Sequence, residues 1–324
     1  MTRGRIVITG VAGFIGSNLA DRLLAEGWAV VGVDDLSQGV LEQVPPAVEF
    51  HRADIRSPSI EPFFHGAAAV FHLAARNCIS DCERDPAVTL SVNVAGTANV
   101  FEAARRAGVT RIVYAESSAL YEGIAHFPTP EDEVAPESWY ALSKQAGREV
   151  ARAYARKDGL RTTALRYFCV YGPRQDYRRT VPPVMSAFIL HLLRGERPTI
   201  YGTGEKRRDF VYIDDVNDFH VQCLHDARTE GGTFNLGSGV DHSVNEVFEL
   251  TRELLGSRVD ARRAADLPGE AFRTCADIGR ARALGWEPRT PLREGLRRSA
   301  DYVRDVIAAE EGSAEGARLA EARA

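Results

Sequence analysis

Between the apolar run RIVIT, residues 5–9, and an amphipathic stretch that begins at Phe14, the chain places three glycines, Gly10, Gly13 and Gly16. Consecutive branched residues read as a buried strand and residues 14–26 read as a helix, so the glycines occupy a strand-to-helix turn. In such a turn the first glycine permits a tight bend. The second lets backbone N–H groups approach a pyrophosphate, and the third lets helix and strand pack closely. Phe14 and Ile15 open the helix, whose N-terminus then faces the anion.

The same rhythm runs on through AVVGVDD, VEFHRAD, AAVFHLAA, RIVYAESS and RTTALRY, separated by amphipathic stretches at 85–107 and 139–157. These short runs are rich in Val, Ile and Ala rather than alternating, as strands covered on both faces must be. The expected fold is α/β, a Rossmann-like doubly wound parallel sheet with a smaller, interleaved C-terminal substrate domain. The expected boundaries are 1–171 for the dinucleotide-binding domain, with later segments at about 208–240 returning to it. Residues 172–308 mainly form the second domain, and 309–324 form an Ala/Glu-rich tail, a frayed helix or disorder. Asp34 ends the second strand, eighteen residues beyond Gly16. A carboxylate there accepts hydrogen bonds from both adenosine ribose hydroxyls and repels the extra phosphate of NADP, so the implied cofactor is NAD. Asp54, followed by Ile55, ends the next strand within reach of adenine.

Composition narrows the partners. A formal charge of −5 and a pI near 6.0, with arginines scattered along the chain, give no attraction for nucleic acid. No stretch approaches the roughly 20 apolar residues of a membrane span, and MTRGRIVITG lacks the apolar core of a secretory signal. Cys78 and Cys82 have no second ligand pair nearby, so no metal site is expected, and five cysteines read as reduced thiols of a cytoplasmic protein.

Tyr140 and Lys144 stand four apart in the 139–157 stretch, on one helical face. A phenol is a poor base at neutral pH, but a neighbouring ammonium and a nicotinamide cation both favour the phenolate. Tyr140 could then take a proton from a sugar hydroxyl.

With TGVAGFIG, HLAA, NVAGTANVFEAAR, YAESSALY, YALSK, RYFCVYGPRQ, YGTGEKRRDFVYIDD and FNLGSG in this order, the chain resembles the extended short-chain dehydrogenase/reductases, in their NAD-dependent nucleotide-sugar epimerase/dehydratase branch. The resemblance implies that Ser118, Tyr140 and Lys144 form the catalytic triad around the nicotinamide and the sugar C4 hydroxyl. It implies that Leu73, Ala74 and Ala75 line the pyrophosphate and ribose, and that Asn93 and Tyr167 lie by the cofactor. Ser117, Cys169 and Tyr201 would line the substrate, and Arg208 would hold its diphosphate, a bidentate task for a planar guanidinium. The implied substrate is a nucleotide-diphosphate sugar, most simply a UDP-sugar. The implied assembly is a homodimer joined through helices at 93–107 and 139–157.

Relatives that eliminate water typically carry Asp-Glu where this chain has Ser118 and Ala119, and decarboxylating relatives carry a Glu at the latter place. The expected reaction is therefore 4-epimerisation. Dehydration or decarboxylation is the alternative, and a protein that senses NAD without chemistry is a remoter one. Cys169, Glu116, Glu122, Leu267 and Phe272 depart from the family pattern. The negative charges of Glu116 and Asp81, if they line the sugar pocket, would disfavour a uronate.

Overall fold

Twelve strands are present in the computed structural model, which describes residues 3–176, 182–266 and 271–321, with side chains as far as 311. They are β1 (Arg5–Thr9), β2 (Ala29–Asp34), β3 (Glu49–Arg52), β4 (Ala67–His72), β5 (Arg111–Ser117), β6 (Arg161–Tyr167), β7 (Cys169–Tyr171), β8 (Thr199–Tyr201), β9 (Arg207–Tyr212), β10 (Thr233–Leu236), β11 (Asp241–Ser243) and β12 (Arg262–Ala264). Seven of them form one parallel sheet in the order β10-β6-β5-β4-β1-β2-β3. The winding direction reverses between β1 and β4, which opens a crevice at their C-terminal ends.

Both faces of this sheet are covered, which explains the near-continuous apolar runs. Ile6 and Ile8 pack with Leu19, Leu23 and Phe71 on one side, while Val7 packs with Val31, Val70, Phe101 and Ile112 on the other. The fold is the expected Rossmann-like α/β sheet. β11-β9-β7 and β12-β8 make two small further sheets. Between them the chain returns to the large sheet, because β10 pairs with β6 and the helix Ile213–His225 lies on the helix Phe14–Ala25.

The stretch expected as one helix over 85–107 is divided. A short helix, Pro86–Leu90, runs into a π turn, Ser91–Gly96, and then into the helix Thr97–Arg106. Thr97 Oγ1 donates to the Asn93 carbonyl at 2.7 Å inside that widened turn. A Cβ on Gly147 of the neighbouring helix would come within 3.3 Å of the same carbonyl oxygen, so the two helices cross at close range there. The final helix, Leu292–Glu321, carries into the Ala/Glu-rich tail. Among the described residues no helix is long and apolar enough to cross a membrane.

Candidate active site

At the β1 turn, backbone crowding dictates the glycines. Gly10 has φ +78°, and a Cβ there would lie 2.7 Å from the backbone nitrogen of Ala74. A Cβ on Gly16 would stand 2.1 Å from the Gly10 carbonyl oxygen, and one on Gly13 would stand 3.3 Å from it. The loop is thus wedged between the end of β4 and the helix it feeds, at a spacing only glycine allows. Gly13 caps the helix Phe14–Ala25 without a side-chain bond, and its first turn carries no acid. Its dipole end is left to an outside anion. Phe14 and Ile15 flank this turn half-buried.

Asp34 closes the other side of the cradle. Its Oδ2 accepts from Ala12 N at 3.0 Å on the glycine loop, and its Oδ1 accepts from Leu36 N at 2.9 Å. Burial pushes its pKa up, while these two N–H donors pull it down. Each oxygen keeps a further lone pair for a ribose hydroxyl. A Cβ on Gly39 would lie 2.8 Å from Oδ1, so this glycine leaves the carboxylate approachable. The residues present fit NAD. Calorimetry should therefore give far tighter binding of NAD than of NADP, and equal affinities would remove Asp34 from the ribose site. Asp54 is placed differently from Asp34, since Arg56 bonds it through Nε, Nη2 and backbone N, and the Arg56 bonds hold its pKa down. Its neighbour Ile55 is buried, and the Ile55 carbonyl accepts from Asn99 Nδ2 at 2.6 Å.

A buried hydrogen-bond chain, not foreseen from the sequence, links this cradle to the central helices. Thr97 Oγ1 spends its proton on Asn93 O, so His72 Nε2, 2.9 Å away, must donate to it. His72 Nδ1 then accepts from Thr9 Oγ1 at 2.8 Å, and Thr9 Oγ1 in turn accepts from Ala74 N at 3.4 Å. Burial lowers the His72 pKa to about 3, so the ring stays neutral and its tautomer is fixed. Leu73 N bonds the Thr9 carbonyl at 3.1 Å, and Ala75 follows in the same half-buried segment. Asn93 bonds both backbone groups of Arg76 and donates to Ser143 Oγ at 2.9 Å. Its amide is used in tying the Leu73–Arg76 segment to the helix that carries Tyr140. The sequence signal was available in the polar His72 and Thr9 ending otherwise apolar strands.

That helix, Trp139–Asp158, is fixed at its N-terminus by acids, as its dipole favours. Ser138 Oγ accepts from Ala141 N, while Glu122 accepts from Ser138 N, Ser138 Oγ and Glu137 N. Glu83 accepts from Trp139 N at 2.7 Å. Glu122, a departure from the family pattern, is thus an anchor for the helix. One turn in, Lys144 Nζ lies 5.9 Å from the Tyr140 ring centroid and donates to the Ala115 carbonyl on β5 at 3.1 Å. Lys144 is half-buried with its ammonium end enclosed, and burial lowers its pKa to about 8 against the attraction of Glu116. β5 then ends at Ser117, whose Oγ accepts from Ala119 N at 3.2 Å, and half-buried Ser118 opens the turn Ser118–Tyr121. The structure therefore brings Tyr140, Lys144 and the two serines to one strand end.

The remaining expected residues divide. The Tyr167 hydroxyl donates to His220 Nε2 at 2.6 Å, because His220 Nδ1 must donate to Asn217 Oδ1; the phenol is engaged in the core. Cys169 is half-buried on β7 beside Phe210, and Tyr201 is 39% exposed on β8. Arg208 donates to the carbonyls of Arg207 and Phe272. The adjacent carboxylates have other partners, Asp209 being bonded by Ser238, Gly239 and Ala276, and Asp214 by Arg298. Phe272 is 64% exposed, and Leu267 lies outside the described residues.

The expectation that Glu116 and Asp81 present charge to the sugar needs correction. Glu116 is buried, accepting from Arg166 Nε at 2.6 Å and from Tyr114 OH at 2.9 Å. Asp81 is bonded by Arg84 Nη2 at 2.5 Å. Strand alternation turns the side chain of residue 116 away from the face to which 115 and 117 point. The charge argument against a uronate falls with it.

A parallel sheet with a glycine cradle, a strand-end carboxylate bonded to that cradle and a Tyr-x-x-x-Lys pair beside the end of β5 is the arrangement of a dinucleotide-dependent enzyme of sugar or alcohol chemistry. The chain belongs to the NAD dependent epimerase/dehydratase family, whose model matches residues 6–237. NAD is its cofactor. It is 37% identical to a UDP-glucose 4-epimerase of Mycolicibacterium smegmatis, over 93% of this chain and 99% of that one. It is 31% identical to UDP-glucuronic acid decarboxylase 1 of Xenopus tropicalis, over 94% of this chain and 73% of the other. The crystal structure of UDP-glucose 4-epimerase from Thermotoga maritima with UDP-glucose superposes with a TM-score of 0.90 at 34% identity, covering 94% of this chain and 99% of that one.

Proposed function

We propose that this chain is a nucleotide-sugar 4-epimerase acting on a UDP-linked sugar. The observation that carries the reading lies at the end of β5, where Ser118 and Ala119 offer no carboxyl group for elimination or decarboxylation. The nearest carboxylates along the chain are committed elsewhere, Glu116 to Arg166 and Tyr114, and Glu122 to the start of the Trp139–Asp158 helix. Bound NAD supplies the hydride acceptor and donor. Tyr140 takes the proton from the C4 hydroxyl and later returns it, while the Lys144 ammonium favours the phenolate. Arg208 holds the diphosphate, and Cys169 and Tyr201 line the nucleotide-sugar.

Ser118 is the hydroxyl expected to bond the reacting sugar oxygen. One observation favours Ser117 instead: its oxygen already accepts from Ala119 N at 3.2 Å, so what it has to offer a ligand is its O–H as donor. Ser117→Ala and Ser118→Ala, measured side by side, decide between them. The variant that loses turnover about a hundredfold or more with KM little changed marks the serine that acts in the transition state.

The test of the function is a screen of UDP-glucose, UDP-N-acetylglucosamine and UDP-glucuronate, read by chromatography and mass spectrometry. A product of unchanged mass is expected. Loss of water or of carbon dioxide overturns the epimerase reading.

The assembly is read as a homodimer. Leu90, Trp139 and Leu142 are large apolar residues left 36–41% exposed on the helices Pro86–Leu90 and Trp139–Asp158, and a second copy would cover them. A dimer mass is expected in solution scattering at micromolar concentration, and a monomer mass overturns this.

A further inference from the structure

Lys144 is one of three lysines in the chain, with Lys157 and Lys206. Its ammonium is held by the Ala115 carbonyl, and the next residue on β5 is Glu116, whose side chain is 1% exposed. Arg148 stands one turn beyond Lys144 on the same helix, with Nε 3.8 Å from Glu116 Oε1. Arg166 reaches the same carboxylate from β6, and its side chain is fully buried. Arg148 Nε and Arg166 Nη2 are buried without a hydrogen-bond partner among the described residues. Two guanidinium groups therefore share the Glu116 carboxylate, and Lys144 is held by the carbonyl of the residue just before Glu116.

We propose that Glu116 is a positioning residue for the Tyr140–Lys144 pair, its carboxylate serving as the counter-charge that keeps the enclosed Lys144 ammonium protonated without itself meeting substrate. The proposal rests on the reading of Lys144 as the partner of the catalytic tyrosine. Other groups face Lys144 from every side. Tyr140 and Arg148 lie on its own helix, the neutral His72 on β4, and the Cys82 thiol on the helix Ile79–Arg84, its pKa raised by burial. Tyr114 and Arg166 lie beyond Glu116. Glu116 is the carboxylate among them. Without it, no carboxylate among these groups opposes the burial that lowers the Lys144 pKa, and a neutral lysine no longer favours the Tyr140 phenolate.

Three lysines make the test direct. In protein labelled with 13C at lysine Cε, Lys144 gives one of three NMR signals, assigned with Lys157→Arg and Lys206→Arg. Glu116→Gln, which keeps the shape, should lower the Lys144 titration midpoint by about one pH unit or more. Arg148→Gln removes a cation from the same cluster and should raise it. The upper pH limit of turnover should move with each midpoint in the same direction. Midpoints that stay at the wild-type value in both variants, or that move in the same direction, overturn the proposal. Should Glu116→Gln fail to fold, Glu116→Gln combined with Arg148→Gln replaces it: a Lys144 midpoint below that of Arg148→Gln alone supports the counter-charge, and one equal to it overturns the proposal. Opposed NMR shifts in a protein that turns over no sugar nucleotide would sustain the counter-charge and remove only the epimerase reading.

Discussion

Tyr140→Phe is expected to reduce turnover of a UDP-hexose by roughly two to four orders of magnitude, the usual worth of a positioned acid/base. The loss should fall on chemistry alone. Lys144 is held by the Ala115 carbonyl rather than by the phenol, and the glycine cradle with Asp34 lies on a different strand end. NAD affinity by calorimetry and the thermal midpoint should therefore match the wild type. A variant with a near-normal rate would remove Tyr140 from proton transfer and, with it, the mechanism proposed above.

Arg166→Ala should be the most damaging single change to stability outside the glycine loop. Arg166 is fully buried, bonded to Glu116 at 2.6 Å, to Tyr121 OH at 2.7 Å and to the Glu131 carbonyl at 2.9 Å. Removing it leaves the buried Glu116 carboxylate to the Tyr114 hydroxyl and the more distant Arg148, and breaking a buried pair in this way typically costs about 3–5 kcal/mol. The contrast is Arg84→Ala, where the pair with Asp81 involves an arginine side chain 74% exposed, and where solvent screening keeps the cost below about 1 kcal/mol. Urea titrations of the two variants, compared at equal m-value, measure both. Equal midpoints would mean that the Glu116 cluster is hydrated or neutralised in another way.

What could be read without coordinates was local. The glycines of the β1 turn announce a backbone that bends and approaches others closely, and the structure makes Gly10 and Gly16 sterically obligatory, with Gly13 tightly placed beside them. Asp34 follows from its place at a strand end, and Tyr140 with Lys144 from a four-residue spacing that any helix turns into a shared face. Relations that span the chain were another matter. Glu116 is an ordinary strand-end acid until Arg166, fifty residues on, folds against it from the neighbouring strand. The tie that Asn93 makes from Arg76 to Ser143 cannot be read from its own neighbours in the chain, and Glu122 reads as an odd replacement until Ser138 bonds it. The π turn at Ser91–Gly96 has no local signature either. Backbone conformation and helical spacing are set by the residues themselves, whereas the direction and charge environment of a buried polar side chain are set by whichever distant partner satisfies it.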